Sequence, residues 1–228
     1  VKRVASNLRT DPPFEFSPSS EQIDALCRAL LSSDASAAIA MIEQAQRRGA
    51  TYDSICQVHL AVAAQRLGEW WRADQVSFYK VTIAAGRIYA ILRILRLQRQ
   101  RPTPDGRRWA VFASVPGDSH TLGITIAADM ARDKGWDIEL LMGRSHDELV
   151  LELEKSDATL IGLSASSKQS LPALLKLIVA LRLGKPKARI MICGKIADLN
   201  LGLDGVTGAD AVTSDFDTAI AYMEQTIS

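Results

Sequence analysis

Two side chains in this sequence could act on a metal together. Asp118 and His120 stand two residues apart in Pro116-Gly117-Asp118-Ser119-His120-Thr121-Leu122-Gly123. A neutral imidazole ligates metals through one nitrogen, and its other nitrogen usually donates to a carboxylate or a carbonyl. That second bond fixes the tautomer and makes the ligating nitrogen more basic. Asp118 is spaced to accept it. Gly123 lets the chain or a bulky ligand approach closely. One histidine cannot hold a bare zinc ion, which takes four ligands. It suits a metal carried inside a macrocycle, with His120 as the single axial ligand. Ser119 and Thr121 lie within the motif and are candidate contacts to the same ligand.

This chemistry needs a scaffold that presents the loop. From Arg107 onward, short apolar runs alternate with helical stretches. Strands are predicted at Trp109–Val115, Ile138–Leu141, Thr159–Leu163, Arg189–Ile192 and Ala211–Val212. Helices are predicted at about 122–134, 146–155, 170–183 and 215–226. The alternation implies βαβ units, and so an α/β domain over 107–228: a Rossmann-like (flavodoxin-like) five-stranded parallel sheet with helices on both faces. Such sheets bind ligands at the carboxyl ends of their strands, near a switch in strand order. The Asp118–His120 loop follows the first strand.

The first half has a different period. Ile23, Leu26, Cys27, Leu30 and Leu31 recur at helical spacing, as do Ala38, Met41, Ile42 and Ala45. A third stripe runs from Tyr52 through Ile55, Cys56, His59, Leu60 and Ala63 to Leu67, closed by Gly68. A fourth runs from Val81 to Leu95. Arg47-Arg48-Gly49 reads as a helix stop. The prediction is a four-helix bundle over 21–100. Residues 1–20, with three prolines and no period, read as a flexible arm. Arg101-Pro102-Thr103-Pro104-Asp105-Gly106 reads as a linker, 101–106.

Composition narrows the function classes. The 228 residues carry 27 basic and 26 acidic side chains, a net charge of +1. That excludes the broad positive field of a free-standing nucleic-acid binder. No apolar run reaches the ~18 residues of a membrane span, and Val1 to Pro13 lacks a signal-like stretch. A cytoplasmic protein without membrane contact is expected. Cys27, Cys56 and Cys193 are odd in number and widely spaced, so buried thiols are expected. His59 lies on an apolar helix face, either packed in a core or placed over a cofactor. His146 opens a helix in a surface or capping role. Arg93, Arg96, Arg99 and Arg101 form a basic run, either a solvated helix end or a docking patch for a partner or DNA.

Asp118-x-His120-x-x-Gly123 after a first strand resembles the cobalamin (vitamin B12)-binding domains of methionine synthase, corrinoid methyl carriers and cobalamin-dependent photoreceptors. The resemblance implies that His120 replaces the cofactor's own benzimidazole on cobalt, with the freed nucleotide tail entering the sheet domain. Gly162-Leu163-Ser164 falls where the family's serine bonds the histidine–aspartate pair; Ser166 stands in place of the usual leucine. Cys193-Gly194-Lys195 falls where two glycines usually follow the tail, so Lys195 brings a cation near the cofactor phosphate. Thr213, in the last strand, is a further candidate tail contact. Leu67-Gly68-Glu69-Trp70-Trp71 resembles the helical cap over the upper corrin face, with Trp71 as the shielding aromatic. The photoreceptors' Glu-His pair is replaced by Val81 and Thr82.

Over residues 21–228 the chain resembles the AerR/PpaA antirepressors of purple bacteria. Leu67–Arg93, Asp118–Gly123 and Gly143–Leu149 carry that likeness. It implies a regulator, not an enzyme, that senses light or cofactor supply and acts on a CrtJ/PpsR-type repressor of photosystem genes. No helix-turn-helix signature is present, and direct DNA contact stays open. The resemblance implies a cobalamin cofactor, with hydroxo-, aquo- and adenosylcobalamin all open. A corrinoid methyl carrier or a heme sensor on the same scaffold are the alternatives.

Overall fold

The computed structural model describes residues 17–99, 106 and 108–227. These fall into two compact units, one helical and one built on a sheet. The predicted linker lies outside the described residues except for Gly106. So does the predicted arm up to residue 16.

The rest of that arm is ordered. Ser19 caps α1 (Ser20–Leu31) in a reciprocal pair with Gln22. The Ser19 hydroxyl accepts from the Gln22 N–H at 3.2 Å, and the Ser19 N–H donates to the Gln22 side chain at 2.8 Å. Such a cap is worth about 1 kcal/mol, enough to fix where the helix begins. α1 buries the predicted stripe Ile23, Leu26, Cys27 and Leu30. α2 (Ser36–Arg47) ends at Arg48, and Gly49 turns the chain at φ 95°.

The third helical rod departs from expectation. α3 (Tyr52–Ser54), a π-helical stretch Ile55–Leu60 and α4 (Ala61–Arg72) run on without a break. Gly68 therefore does not stop the helix. An isolated helical glycine costs about 1 kcal/mol relative to alanine, less than burying a residue such as Leu67 returns. The rod ends instead at Ala73, before Asp74 with its φ of 54°. Trp70 and Trp71 are helical as a result. α5 (Phe78–Leu97) completes the unit, and α1 packs against α2, α4 and α5.

The second unit follows the predicted α/β alternation. Its strands are β1 (Trp109–Ser114), β2 (Asp137–Leu141), β3 (Leu160–Ser164), β4 (Arg189–Cys193) and β5 (Ala211–Thr213). All pair in parallel, in the order β2-β1-β3-β4-β5. Period-two alternation sorts the strand residues between two cores. Val111, Ala113, Ile161 and Ile190 face α7 (His146–Lys155) and α8 (Leu171–Gly184). Ala110, Phe112, Leu160 and Met191 face α6 (Leu122–Asp133) and α10 (Phe216–Gln225). Helices on both faces explain why these strands read as continuous apolar runs. Three short pieces had no sequence forecast: 3₁₀ turns at Lys168–Ser170 and Lys195–Leu199, and α9 (Leu203–Val206).

The register matters most for function. Ser114 pairs with Ser164, Ser164 with Cys193, and Cys193 with Thr213. The carboxyl ends of β1, β3, β4 and β5 are therefore flush. The strand order reverses between β1 and β3, which is the switch point where such sheets take ligands.

Arg182 locks the far end of this sheet. Its guanidinium donates to the carbonyls of Gly208 and Ala188 and to the Asp210 carboxylate at 2.6 Å. Burial pushes the Asp210 carboxyl up. The Ile190 N–H and Arg182 outweigh that and hold it below its ordinary value. Arg182→Ala is expected to lower the unfolding free energy by about 1–3 kcal/mol in denaturant titrations. A loss under about 0.5 kcal/mol would show that water replaces these bonds at no cost.

Candidate functional site

The loop after β1 is tied to the end of β3 before any side chain acts. The Val115 N–H donates to the Ser164 carbonyl at 3.0 Å, continuing the ladder one residue past the strands. Gly117, at φ 81°, then turns the chain, and the Asp118 N–H returns to the Val115 carbonyl. This geometry drives the Asp118 side chain inward, where it is only 3% exposed.

A buried carboxylate needs donors, and Asp118 has five among the described residues. Its Oδ1 accepts from the His120 N–H at 3.0 Å and the Ser166 hydroxyl at 2.9 Å, and His120 Nδ1 lies 3.2 Å away. Its Oδ2 accepts from the Ser166 N–H at 2.6 Å and the Ser170 hydroxyl at 2.8 Å. Burial pushes this carboxyl up. The His120 N–H, the Ser170 hydroxyl and both Ser166 donors outweigh it, so the group sits below the ordinary carboxylate range. Asp118 is thus a carboxylate at neutral pH.

An ionised neighbour at Nδ1 places the imidazole proton there and leaves the Nε2 lone pair free. The His120 side chain is 74% exposed, and its Nε2 has no hydrogen bond to a described residue. Gly123 is exposed, and a methyl group at its Cα would meet nothing within 4 Å. A free imidazole nitrogen beside open space fits the single axial ligand of a macrocyclic metal. Among the described residues no three His, Cys, Asp or Glu side chains converge on a bare ion.

The neighbouring candidates divide. Ser164 ends β3 beside Gly194, with its hydroxyl 3.0 Å from where a Gly194 Cβ would stand. It is not the serine that reaches the histidine–aspartate pair. The chain must run two residues past the strand to cross to the first loop, so Ser166 makes that contact, joined by Ser170. The sequence reading missed Ser170. A serine directly before Leu171-Pro172 looks like an ordinary helix cap, yet it makes no side-chain cap bond to α8. Its hydroxyl is turned to Asp118 instead. Gly194, at φ 86°, is required by packing: a Cβ there would lie 2.7 Å from the Ala165 carbonyl. Lys195 is exposed at the start of the 3₁₀ turn after β4. The Thr213 hydroxyl is engaged locally, accepting from the Asp215 N–H at 3.1 Å. Ser119 is exposed, and its carbonyl accepts from the Thr121 N–H.

In the helical unit, Trp71 is 44% exposed and lies 5.6 Å from the Phe78 ring. The Thr82 hydroxyl donates to the Phe78 carbonyl. His59 is packed in the π-helical stretch with Nδ1 3.4 Å from the Ser54 carbonyl, and burial lowers its pKa. His146 does not cap α7. Ser145 does, paired with Glu148. The basic run is not one free stripe: the Arg99 guanidinium lies 3.8 Å over the Tyr52 ring, and Arg101 is outside the described residues. Cys27 and Cys56 are buried as expected, and burial pushes the Cys27 thiol up to about 12. Cys193 is only partly covered.

The charge state of Asp118 sets a pH dependence. Its carboxyl is more acidic in the fold than in the open chain, so its stabilisation is present above about pH 4 and is lost as pH falls through the native value. Asp118→Asn is expected to cost about 1–3 kcal/mol of stability at neutral pH, because the amide cannot accept all five donors. The gap between the two proteins should close as acid protonates the wild-type carboxyl. Denaturant unfolding of both from neutral to acidic pH checks this; a constant gap would contradict it.

Comparisons with known proteins bear on the same residues. The B12 binding domain family matches residues 108–221, and a second B12 binding domain family matches residues 22–96. The "Uncharacterized 20.5 kDa protein in bchF-crtJ intergenic region" of Rhodobacter capsulatus is 30% identical over 171 residues, covering 72% of this chain and 86% of that protein. The monomethylamine corrinoid protein of Methanosarcina barkeri superposes with a TM-score of 0.69 at 18% identity, covering 90% of this chain and 98% of that one. A cobalamin-binding protein from Desulfitobacterium hafniense DCB-2 gives a TM-score of 0.46 at 16% identity, covering 90% and 98%. Among the described residues, no helix is long and apolar enough to cross a membrane. The sheet-unit match spans Asp118, His120, Ser166 and Ser170, and the helical-unit match spans Trp71. This chain belongs to the B12-binding domain family, with a helical B12-binding unit followed by a five-stranded parallel sheet unit.

Proposed function

We propose that this chain is a cobalamin-responsive transcription regulator. In this reading it holds cobalamin with the cofactor's own base displaced and His120 Nε2 as the lower axial ligand. It then acts on a CrtJ/PpsR-type repressor of photosystem genes, in the cytoplasm and without turnover. The observation that carries the cofactor half is the oriented imidazole: Nδ1 against the Asp118 carboxylate, Nε2 free, at the β1/β3 switch point. The regulatory half is supported by the Rhodobacter capsulatus relative, whose name places it in the bchF-crtJ intergenic region.

A bound cobalamin would supply a visible chromophore and a cobalt centre. The protein's part would be to offer it His120 Nε2 and to fix that ring's tautomer through Asp118. Neither Val81 nor Thr82 carries an imidazole, so this reading keeps hydroxo-, aquo- and adenosylcobalamin as candidate cofactors. The exposed ring of Trp71 is available as the shielding aromatic that the sequence resemblance implies. Lys195, exposed after β4, is free to meet the phosphate of the nucleotide tail.

Purified protein mixed with hydroxocobalamin, adenosylcobalamin or heme, in dark and light, tests the reading by absorption. The wild type should take up cobalamin and show the displaced-base spectrum. His120→Ala should lose that spectrum and at least ~10-fold in affinity. Unchanged binding by that variant would remove the axial-ligand role; preference for heme would replace the cofactor. The regulatory half is read by titrating loaded and unloaded protein into a repressor–operator complex. Operator affinity should change with loaded protein only. Methyl transfer to the bound cofactor by a partner enzyme, with no effect on any repressor, would favour the methyl-carrier alternative.

A further inference from the structure

The inner sides of α7 and α8 are spent on the sheet, but their outer sides are not explained by it. In α8, Leu174, Leu177, Ile178 and Leu181 are buried and fix the inward direction. At 3.6 residues per turn, the opposite side carries Pro172, Lys176, Val179 and Leu183. Their spacing of four, three and four is the seam that one helix presents to another. In α7, Leu149 and Leu153 are buried, and Leu151 stands directly opposite them. Leu151, Val179 and Leu183 are each more than half exposed. Single exposed apolar residues are ordinary. Three on one helical layer, two of them on a seam, call for a cover.

We infer that the cover is a second copy of this chain, related by a two-fold axis parallel to the helices, so that α7 of each copy lies over α8 of the other. Charge and height both favour this occupant. α7 and α8 are successive crossovers on one face of a parallel sheet, so they run side by side in the same direction. One point fixes their relative height: a Cβ on Gly184 would run into the Glu154 carboxylate. With equal rise per residue, Leu151 then stands at the height between Val179 and Leu183, and Asp147 stands beside the height of Lys176. An axis along the helices preserves height. Leu151 of one copy therefore enters the seam between Val179 and Leu183 of the other, and Asp147 meets Lys176. A two-fold axis makes each contact twice.

The charges available agree. Asp147 and Lys176 are exposed, and neither has a partner among the described residues. The other acids nearby are engaged, Glu148 in the cap with Ser145 and Glu152 with Arg144. Glu154 and Lys155 leave the far end of α7 neutral, so the match rests on Asp147 and Lys176. An axis across the helices would instead stack α8 on α8 about its midpoint. Each Lys176 would then lie against Val179 with no counter-charge.

Sedimentation equilibrium of the full chain over a range of concentrations tests this. The wild type should form a reversible dimer. Val179→Glu and Leu183→Glu, both at exposed positions, should each weaken it at least ~10-fold. Asp147→Lys and Lys176→Asp should each weaken it about tenfold, since two attractive contacts become repulsive. The double variant should return to within about threefold of wild type. Mixing the two single variants should also restore the dimer, because every contact then joins opposite charges. Thermal unfolding of each variant shows whether it folds, and the mixing experiment uses no substitution at an apolar position. A wild type that stays monomeric at millimolar concentration overturns the inference and leaves the face to a different protein. A dimer indifferent to all four substitutions places the interface elsewhere and overturns it too. Loss in both single charge variants without recovery on mixing overturns the pairing of α7 with α8.

Discussion

A carboxylate taken out of water must be surrounded by donors, and the sheet unit is arranged around meeting that demand for Asp118. Its donors come from two loops that are far apart in sequence, one after β1 and one after β3. They meet because β1 and β3 are neighbours in the sheet and end at the same level. A register slip of one residue would move Ser166 away from Asp118 and turn the core residues of β3 to the wrong face. The hydrophobic demand for register and the electrostatic demand for donors therefore point to one arrangement. Packing sets where the strands end, and the carboxylate converts that into the orientation of one exposed ring.

That orientation is otherwise hard to hold. The His120 side chain is mostly in solvent, so packing does little to restrain it. Its backbone N–H and its Nδ1 are both turned to the same carboxylate oxygen, which restrains the residue at one main-chain point and one ring point. The arrangement has a local cost. Ser170 stands where α8 would ordinarily receive a side-chain cap, and such caps are worth about 1 kcal/mol. The hydroxyl serves Asp118 instead. A polar group diverted from local stability to a site fits the expectation that rules of local structure are broken where function lies.

The helical unit obeys a different logic. Its stability comes from a conventional apolar interior, with Leu30, Ile55, Leu60, Leu67, Ile88 and Leu92 fully buried. Its departures are local. Six residues, Ile55–Leu60, including His59, are wound as a π-helix, a rare form that occurs mostly as single turns inside α-helices. Trp71, Phe78 and Tyr79 remain exposed although they are among its largest apolar side chains.

The sequence alone determined the elements and the motif. Hydrophobic period separates helix from strand locally, so β1 to β5 and the helices α6, α7, α8 and α10 were legible to within a residue or two, as was the change of period near residue 100; the four-residue α9 is too short to show a period. Asp118 and His120 were legible because both lie in one loop, two residues apart. Other features were decided only by the tertiary structure. Gly68 continues a helix because packing on Leu67 outweighs a propensity of about 1 kcal/mol, which no local pattern reports. Ser166 rather than Ser164 meets the histidine–aspartate pair because the distance between two loops depends on strand register. Ser170 was hidden because, in sequence, it is indistinguishable from a helix cap. The motif is a property of nearest neighbours along the chain. Which hydroxyls complete it is a property of neighbours across the sheet, fixed only once the strands have paired.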